Sequence, residues 1–293
     1  MIEEIKNQIT TMLSSLPITI ISAVIYGSWT RRGQTKDSDI DILLISNEIN
    51  PKRQRRRKEI ASIKGRLFFG YPLDILLLTP EECISNFENH NPLFLDIASE
   101  GIILKDTEGF IKNLMDDTKR YIVQKRLIKH PDGWSFPVLF REATLLSEVS
   151  NRDFATAMLT DGEHDYAIGV HIMEKGYYDK AVYHFQQAVE KAIKAVLISL
   201  GEFKKTHFVG DILIDKLQRI ELDPAWKDRL YDIAKISDEV EPEVTWSRYP
   251  GIDAGKLWIP SEEYTIDDAN EIKEKSEKII RIANDFISWW FRL

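Results

Sequence analysis

The spacing of apolar positions changes near Glu142, and that change divides the chain in two. In the first part, short runs of β-branched and aliphatic residues alternate with amphipathic stretches. The runs Ile18 to Tyr26, Ile40 to Ser46, Leu73 to Thr79 and Gly101 to Asp106 read as strands. Ile2, Ile5, Ile9 and Leu13 fall at helical spacing, so a first helix runs to about Ser14, with Pro17 beyond it. Asn50-Pro51 opens a helix to about Lys64, Pro80-Glu81-Glu82 reads as the first turn of another, and a short one spans about Pro92 to Ser99. Such alternation predicts a small mixed α/β sheet covered by helices. Lys119 to Gly133 has no clear period and reads as the connection between domains. Beyond it the apolar spacing predicts long helices over Asn151 to Lys175, Tyr177 to Leu200, Val209 to Arg219, Pro224 to Ile236 and Ile266 to Phe291. Short connections between them imply an all-α, up-and-down bundle. The expected domains are 1–130 and 131–293.

Candidate chemistry concentrates between the first two strand runs. The first stops at Gly27, where a missing side chain lets backbone approach a ligand, and Ser28 follows with a hydroxyl and an amide for an anion. Ten residues separate Ser28 from Asp39, and Asp41 lies two further on. On a strand the side-chain period is two, so both carboxylates point to one side while Ile40, Ile42 and Leu44 pack on the other. Neighbouring acids repel, and a divalent cation with oxygen ligands is the usual remedy. Asp74 heads the otherwise apolar third run and supplies a further acid.

Gly-Ser, ten residues, then Asp-x-Asp resembles the nucleotidyltransferases of the DNA polymerase beta superfamily, in particular the minimal nucleotidyltransferases. The resemblance implies that Gly27, Ser28, Arg31 and Ser38 bind the nucleotide, and that Asp39, Asp41 and Asp74 are catalytic and hold Mg²⁺, as two ions. It also implies a nucleoside triphosphate as substrate, with ATP favoured, and a hydroxyl acceptor on a small molecule or a protein. The base that takes the acceptor's proton stays open between Asp74 and a carboxylate of the helical half. One departure is visible: family members commonly have Arg-Gly after the short turn, whereas Arg31 is followed by Arg32 and then Gly33.

Within the second half, Phe185-x-Gln187-Ala188 and Glu190-x-x-x-Lys194 resemble the HEPN family, and the Lys205-Thr206-His207 and Ser247-Arg248-Tyr249-Pro250 segments agree with it. Some HEPN domains are ribonucleases that set four to six residues between an arginine and a histidine. None of the six histidines here has an arginine so placed, which argues against that activity. The two resemblances leave an alternative to the enzyme: a non-catalytic nucleotide-binding or toxin–antitoxin-type interaction protein with the helical half as partner or target. Glu190 and Lys194 read as an ordinary helix pair. Trp289-Trp290-Phe291 reads as packing or as the seam of a homodimer.

Composition narrows the classes further. A formal charge of −8 over 293 residues argues against a general nucleic-acid binder, although Lys52 to Lys58 forms a basic run. That run reads as a solvated helix face or as attraction for a polyanion. A single cysteine, Cys83, excludes a disulfide framework and a zinc cluster. No apolar run is long enough to span a membrane, and the start of the chain is acidic and amphipathic, so cytoplasmic residence is expected.

Overall fold

The computed structural model describes residues 2–31, 38–67, 70–146, 148–253 and 255–293. Two compact units divide between Arg126 and Leu127, four residues before the expected boundary.

In the first unit, α1 (Ile2–Leu13) leads into β1 (Ser22–Tyr26), followed by β2 (Ile40–Ile45), α2 (Arg57–Arg66), β3 (Leu73–Leu78), α3 (Pro80–Glu88), α4 (Pro92–Glu100), β4 (Ile102–Asp106) and α5 (Phe110–Gln124). The sheet order is β3-β2-β1-β4; β2 and β3 run parallel and the other pairs antiparallel, which makes the sheet mixed. Period-two alternation sorts its side chains between two cores. Ile40, Ile42 and Leu44 pack with Ile5, Ile9 and Ile63 from α1 and α2. Val24, Tyr26, Leu43 and Ile45 pack on the opposite face with Phe87, Phe94, Ile97 and Met115 from α3, α4 and α5. A sheet covered on both faces cannot slip by one residue without burying its acids, so the register is strongly fixed.

Two local expectations need correction. The second helix begins at Arg57, not at Pro51; a 3₁₀ turn, Arg53–Arg55, precedes it. The cause is Arg56, which is not part of a solvated face but fully buried. Its guanidinium donates to both oxygens of Glu82 at 2.6 and 2.9 Å and to the carbonyls of Asn50, Pro51 and Leu77. The basic run therefore turns one cation inward to tie the β2–α2 connection to β3 and α3. The second correction concerns Lys119 to Gln124, which is not connection but the end of α5, with Ile111, Met115 and Thr118 on its buried face.

The second unit opens with β5 (Ile128–His130) and β6 (Gly133–Ser135) and continues with α6 (Asn151–Met173), α7 (Tyr178–Ser199), β7 (Glu202–Lys204), α8 (Gly210–Arg219) and α9 (Pro224–Val240). After these come α10 (Glu243–Trp246), β8 (Gly251–Asp253), β9 (Lys256–Trp258), α11 (Pro260–Glu263) and α12 (Ile266–Phe291). The bundle is helical, as expected, and carries a small β5-β6-β7 sheet and a β8-β9 hairpin besides. Helix α7 is its axis: Phe185, Val189, Ile193 and Val196 are completely buried. Gly169 on α6 allows this approach, because a β-carbon there would lie 2.6 Å from the Phe185 ring. Glu190 does more than pair with Lys194. It is buried, and besides the 2.7 Å contact to Lys194 Nζ it holds His207 Nδ1 at 2.9 Å, fastening the segment before α8 to the bundle axis. At the tail, Trp290 and Phe291 are buried and the Arg141 guanidinium stacks on Trp289. No helix among the described residues is long and apolar enough to cross a membrane.

The Arg56–Glu82 pair makes the first unit acid-sensitive. Burial works to raise the Glu82 pKa, but hydrogen bonds from Arg56 and from the Thr79 backbone outweigh it and hold the carboxyl below its ordinary value. A depressed folded-state pKa contributes stability that is present above the unfolded value of about 4.3 and is lost as pH falls through the folded one. Arg56→Met should cost about 3 kcal/mol near neutral pH, because Glu82 and three carbonyls lose their donor. It should also flatten the dependence of stability on pH below about 4.3; urea melts of both proteins across that range measure the two effects together.

Candidate active site

The sheet register decides which acids meet. Asp41 is the cross-strand partner of Tyr26 on β1 and of Asp74 on β3. Register partners project from the same face, so phenol, carboxylate and carboxylate form one row across three strands. Asp41 is half-buried at the centre of that row, Tyr26 is buried and Asp74 is exposed. The Tyr26 hydroxyl reports the row electrostatically: burial first, then the charges of Asp41 and Asp74, raise its pKa and keep it protonated.

Gly27 follows directly and begins a 3₁₀ turn, Gly27–Trp29. Its φ of +79° lies in the left-handed region, and a side chain would also collide with Asp41, since a β-carbon would sit 2.8 Å from the carboxylate carbon and closer still to Oδ2. Glycine is therefore required twice, by backbone conformation and by the acid beside it. Ser28 is half-buried on the turn, and the Ser28 carbonyl accepts from the Arg31 amide at 3.3 Å. Arg31 is exposed and its Nε lies 3.7 Å from Glu100 at the end of α4, an ion pair of small energetic weight. Arg32 and Gly33, where the chain departs from the usual pattern, lie outside the described residues.

Ser38 and Asp39 stand just before β2, Ser38 half-buried and Asp39 exposed. The link between this approach and the glycine turn is Trp29, a residue that sequence reasoning passed over. Its indole N–H donates to the Ser38 carbonyl at 3.2 Å, and its ring meets Tyr71 edge-on at 5.0 Å, so one buried side chain joins the turn, the start of β2 and the loop before β3. A tryptophan set directly after Gly-Ser was the signal available in the sequence.

Among the described residues no three His, Cys, Asp or Glu side chains converge closely enough to form a metal-binding group. The structure thus brings Asp41 and Asp74 side by side and leaves Asp39 at the head of the strand. Two carboxylates still suit Mg²⁺, a hard cation that ordinarily takes one or two protein carboxylates and completes its shell with water and substrate phosphates. The room that Gly27 leaves by having no side chain is taken by the Asp41 carboxylate, which lies directly against the turn.

A family model described as "Nucleotidyltransferase domain" matches residues 2–104, and one described as "HEPN domain" matches residues 155–286.

The chain carries a nucleotidyltransferase domain in its first half and a HEPN domain in its second.

The nucleotidyltransferase–HEPN chain is 31% identical over 137 residues to a Methanocaldococcus jannaschii protein named "Putative toxin MJ1304", a match covering 47% of this chain and 90% of that protein. It is 27% identical over 103 residues to "Putative protein adenylyltransferase MJ1305" of the same organism, covering 35% of this chain and 70% of the other. Among solved structures, a nucleotidyltransferase-like protein from Exiguobacterium sibiricum 255-15 aligns over 99% of this chain and 78% of its own at 11% identity, with a TM-score of 0.41.

The double constraint on Gly27 is testable without any substrate. Gly27→Ala should destabilise the nucleotidyltransferase unit by about 1 to 3 kcal/mol, the cost of a strained left-handed residue plus displacement of Asp41. Adding Asp41→Ala should recover about 1 kcal/mol, and a denaturation cycle over the four proteins reads that coupling.

Proposed function

We propose that this chain is a Mg²⁺-dependent nucleotidyltransferase that moves a nucleoside monophosphate from a nucleoside triphosphate, ATP in the first instance, to a hydroxyl group. The observation that carries the reading is the row in which Asp41 and Asp74 stand side by side next to a glycine that only a side-chain-free residue can occupy. The match to the nucleotidyltransferase family model and similarity to a protein named as a protein adenylyltransferase support it.

In this reading Asp41 and Asp74, with Asp39 at the strand head, hold the Mg²⁺ ions. Bound there, magnesium supplies charge neutralisation for the triphosphate and polarisation of its α-phosphorus. Gly27 lets the Asp41 carboxylate lie against the turn, and Ser28 and Ser38 offer hydroxyl groups to the phosphates. Arg31 exchanges its weak tie to Glu100 for a charge-assisted contact with phosphate. The acceptor oxygen attacks the α-phosphorus in line, the bond to the β-phosphate oxygen breaks, and pyrophosphate leaves with that electron pair. Asp74, the exposed acid of the pair, takes the acceptor's proton. The nucleotide then remains on the acceptor as a phosphodiester.

The same comparison favours a second reading of the helical half. Similarity to a protein named as a toxin, together with similarity to one named as a protein adenylyltransferase, supports a reading in which the bundle is the partner or target of the first half, in the manner of a toxin–antitoxin pair carried on one chain. Incubation of the pure chain with each labelled nucleoside triphosphate and Mg²⁺ separates the readings. Pyrophosphate release accompanied by label on the chain supports transfer to the bundle, whereas release only with an added small acceptor supports a small-molecule transferase. No release with any nucleotide or acceptor overturns the enzymatic reading. Asp41→Asn and Asp74→Asn should each lower pyrophosphate release by about 10²-fold or more while the chain stays folded by circular dichroism, and EDTA should abolish it.

A further inference from the structure

The second unit holds a cavity that the catalytic reading does not use. It encloses about 480 Å³ between the end of α10 and the β8–β9 hairpin, and Trp246, Tyr249, Pro250, Ile252 and Trp258 wall it together with one acid, Asp253. That volume lies within the range of small-ligand sites. The Trp258 indole N–H donates to the Trp246 carbonyl at 3.3 Å, and its ring meets Tyr264 edge-on at 6.0 Å, so the hairpin is fastened at the indole. The room itself comes from Gly251. It is the cross-strand partner of Trp258, and a β-carbon there would meet nothing within 4 Å, so the place that a side chain opposite the indole would fill stays open.

The lining sets the class of ligand. Trp246 and Tyr249 are 58% and 56% exposed, and exposed rings gathered around one cavity mark a binding site where scattered ones do not. Ring faces carry negative potential, and the Tyr249 face already holds one cation, the Arg248 guanidinium at 4.9 Å. Asp253 adds a full negative charge, which no ion pair neutralises among the described residues although Lys256 is its cross-strand partner. In the sequence of this unit acids outnumber lysines and arginines, so the wider field draws cations despite Arg248. The kind of cation follows from what the walls lack. Rings, proline and isoleucine offer few acceptors, so an ammonium bearing N–H groups would lose hydrogen bonds to water on entry. A fully methylated nitrogen has none to lose. We propose that this cavity binds a quaternary ammonium group, its methyls against the ring faces and Asp253 as its counter-charge. Two sources carry that chemistry, a free quaternary amine and a trimethylated lysine on a protein.

A matched pair of probes tests the charge. Choline and 3,3-dimethyl-1-butanol share one shape, but only choline is charged, and titration of the full chain with each is followed by saturation-transfer NMR. Choline should bind about tenfold more tightly than the alcohol. Gly251→Leu, which fills the open place at an exposed position, should weaken choline binding about tenfold and leave the melting temperature unchanged. Asp253→Asn should weaken it about threefold, and this variant carries the test if the leucine disturbs the hairpin. The proposal is overturned if the two probes bind equally, which would make the cavity merely apolar, if no choline signal is seen, or if choline affinity survives both substitutions. A peptide bearing trimethyllysine then separates the sources: affinity about tenfold above that of choline assigns a modified protein, affinity equal to it assigns a free amine, and both uphold the class of ligand. None of these readouts involves a nucleotide, so they stand or fall apart from the catalytic reading.

Discussion

Two carboxylates that a hydrogen-bonded sheet holds in register are the constraint on which the catalytic half depends. Strands pair about 4.8 Å apart, so ionised Asp41 and Asp74 repel by about 1 kcal/mol if fully solvated and by about 3 kcal/mol at the effective dielectric of a partly covered site. Neither can retreat. Isoleucines and leucines on the reverse face pin both strands against α1 and α2, and a slip of one residue would invert every side chain. Two like charges held this close are a local repulsion that a cation would relieve, which is the physical basis of the proposal that magnesium binds here.

Another partly covered acid of the unit, Glu82, is held by the fold itself. Glu82 receives a buried guanidinium on both oxygens and the Thr79 amide as well, so its charge is compensated within the fold. That carboxylate is spent on structure and has nothing left to offer a ligand. Glu190 in the bundle follows the structural pattern, with Lys194 and His207 on its two oxygens.

Much of this was readable from local chemistry. Gly27, Ser28 and the Asp39-x-Asp41 spacing stand out because glycine, strand alternation and paired acids each leave a one-dimensional trace, and the strand-head position of Asp74 is equally local. What escaped is what depends on partners distant in sequence. Arg56 looked like one of six basic residues in a solvated run, since nothing in the run itself reveals that Glu82 and three carbonyls wait for it. Trp29 drew no reading at all, because the partners that give it a role, Ser38 and Tyr71, meet it only in the fold. Helix α5 was split between a strand's aftermath and a connection because its charged outer face, Lys112 to Arg120, masks the inward Ile111 and Met115. The small strands β5, β6 and β7 are three residues each, too short for any alternation to register.

Trp29 also bears on how the site could be assembled. A residue that touches the turn after β1, the entry to β2 and the loop before β3 gives three chain segments a common anchor, although none of them is regular structure. Functional groups on loops are normally placed less firmly than those on strands. Here Asp41 and Asp74 take their positions from the sheet, while Ser28, Ser38 and Asp39 lie on the segments that Trp29 joins. The division is reasonable on physical grounds: the repelling pair needs the rigidity of paired strands, whereas groups that meet a phosphate gain from small adjustments about a fixed hydrophobic pivot. In the proposed reaction Asp39, set on the adjustable side, is the acid that would have to approach the other two.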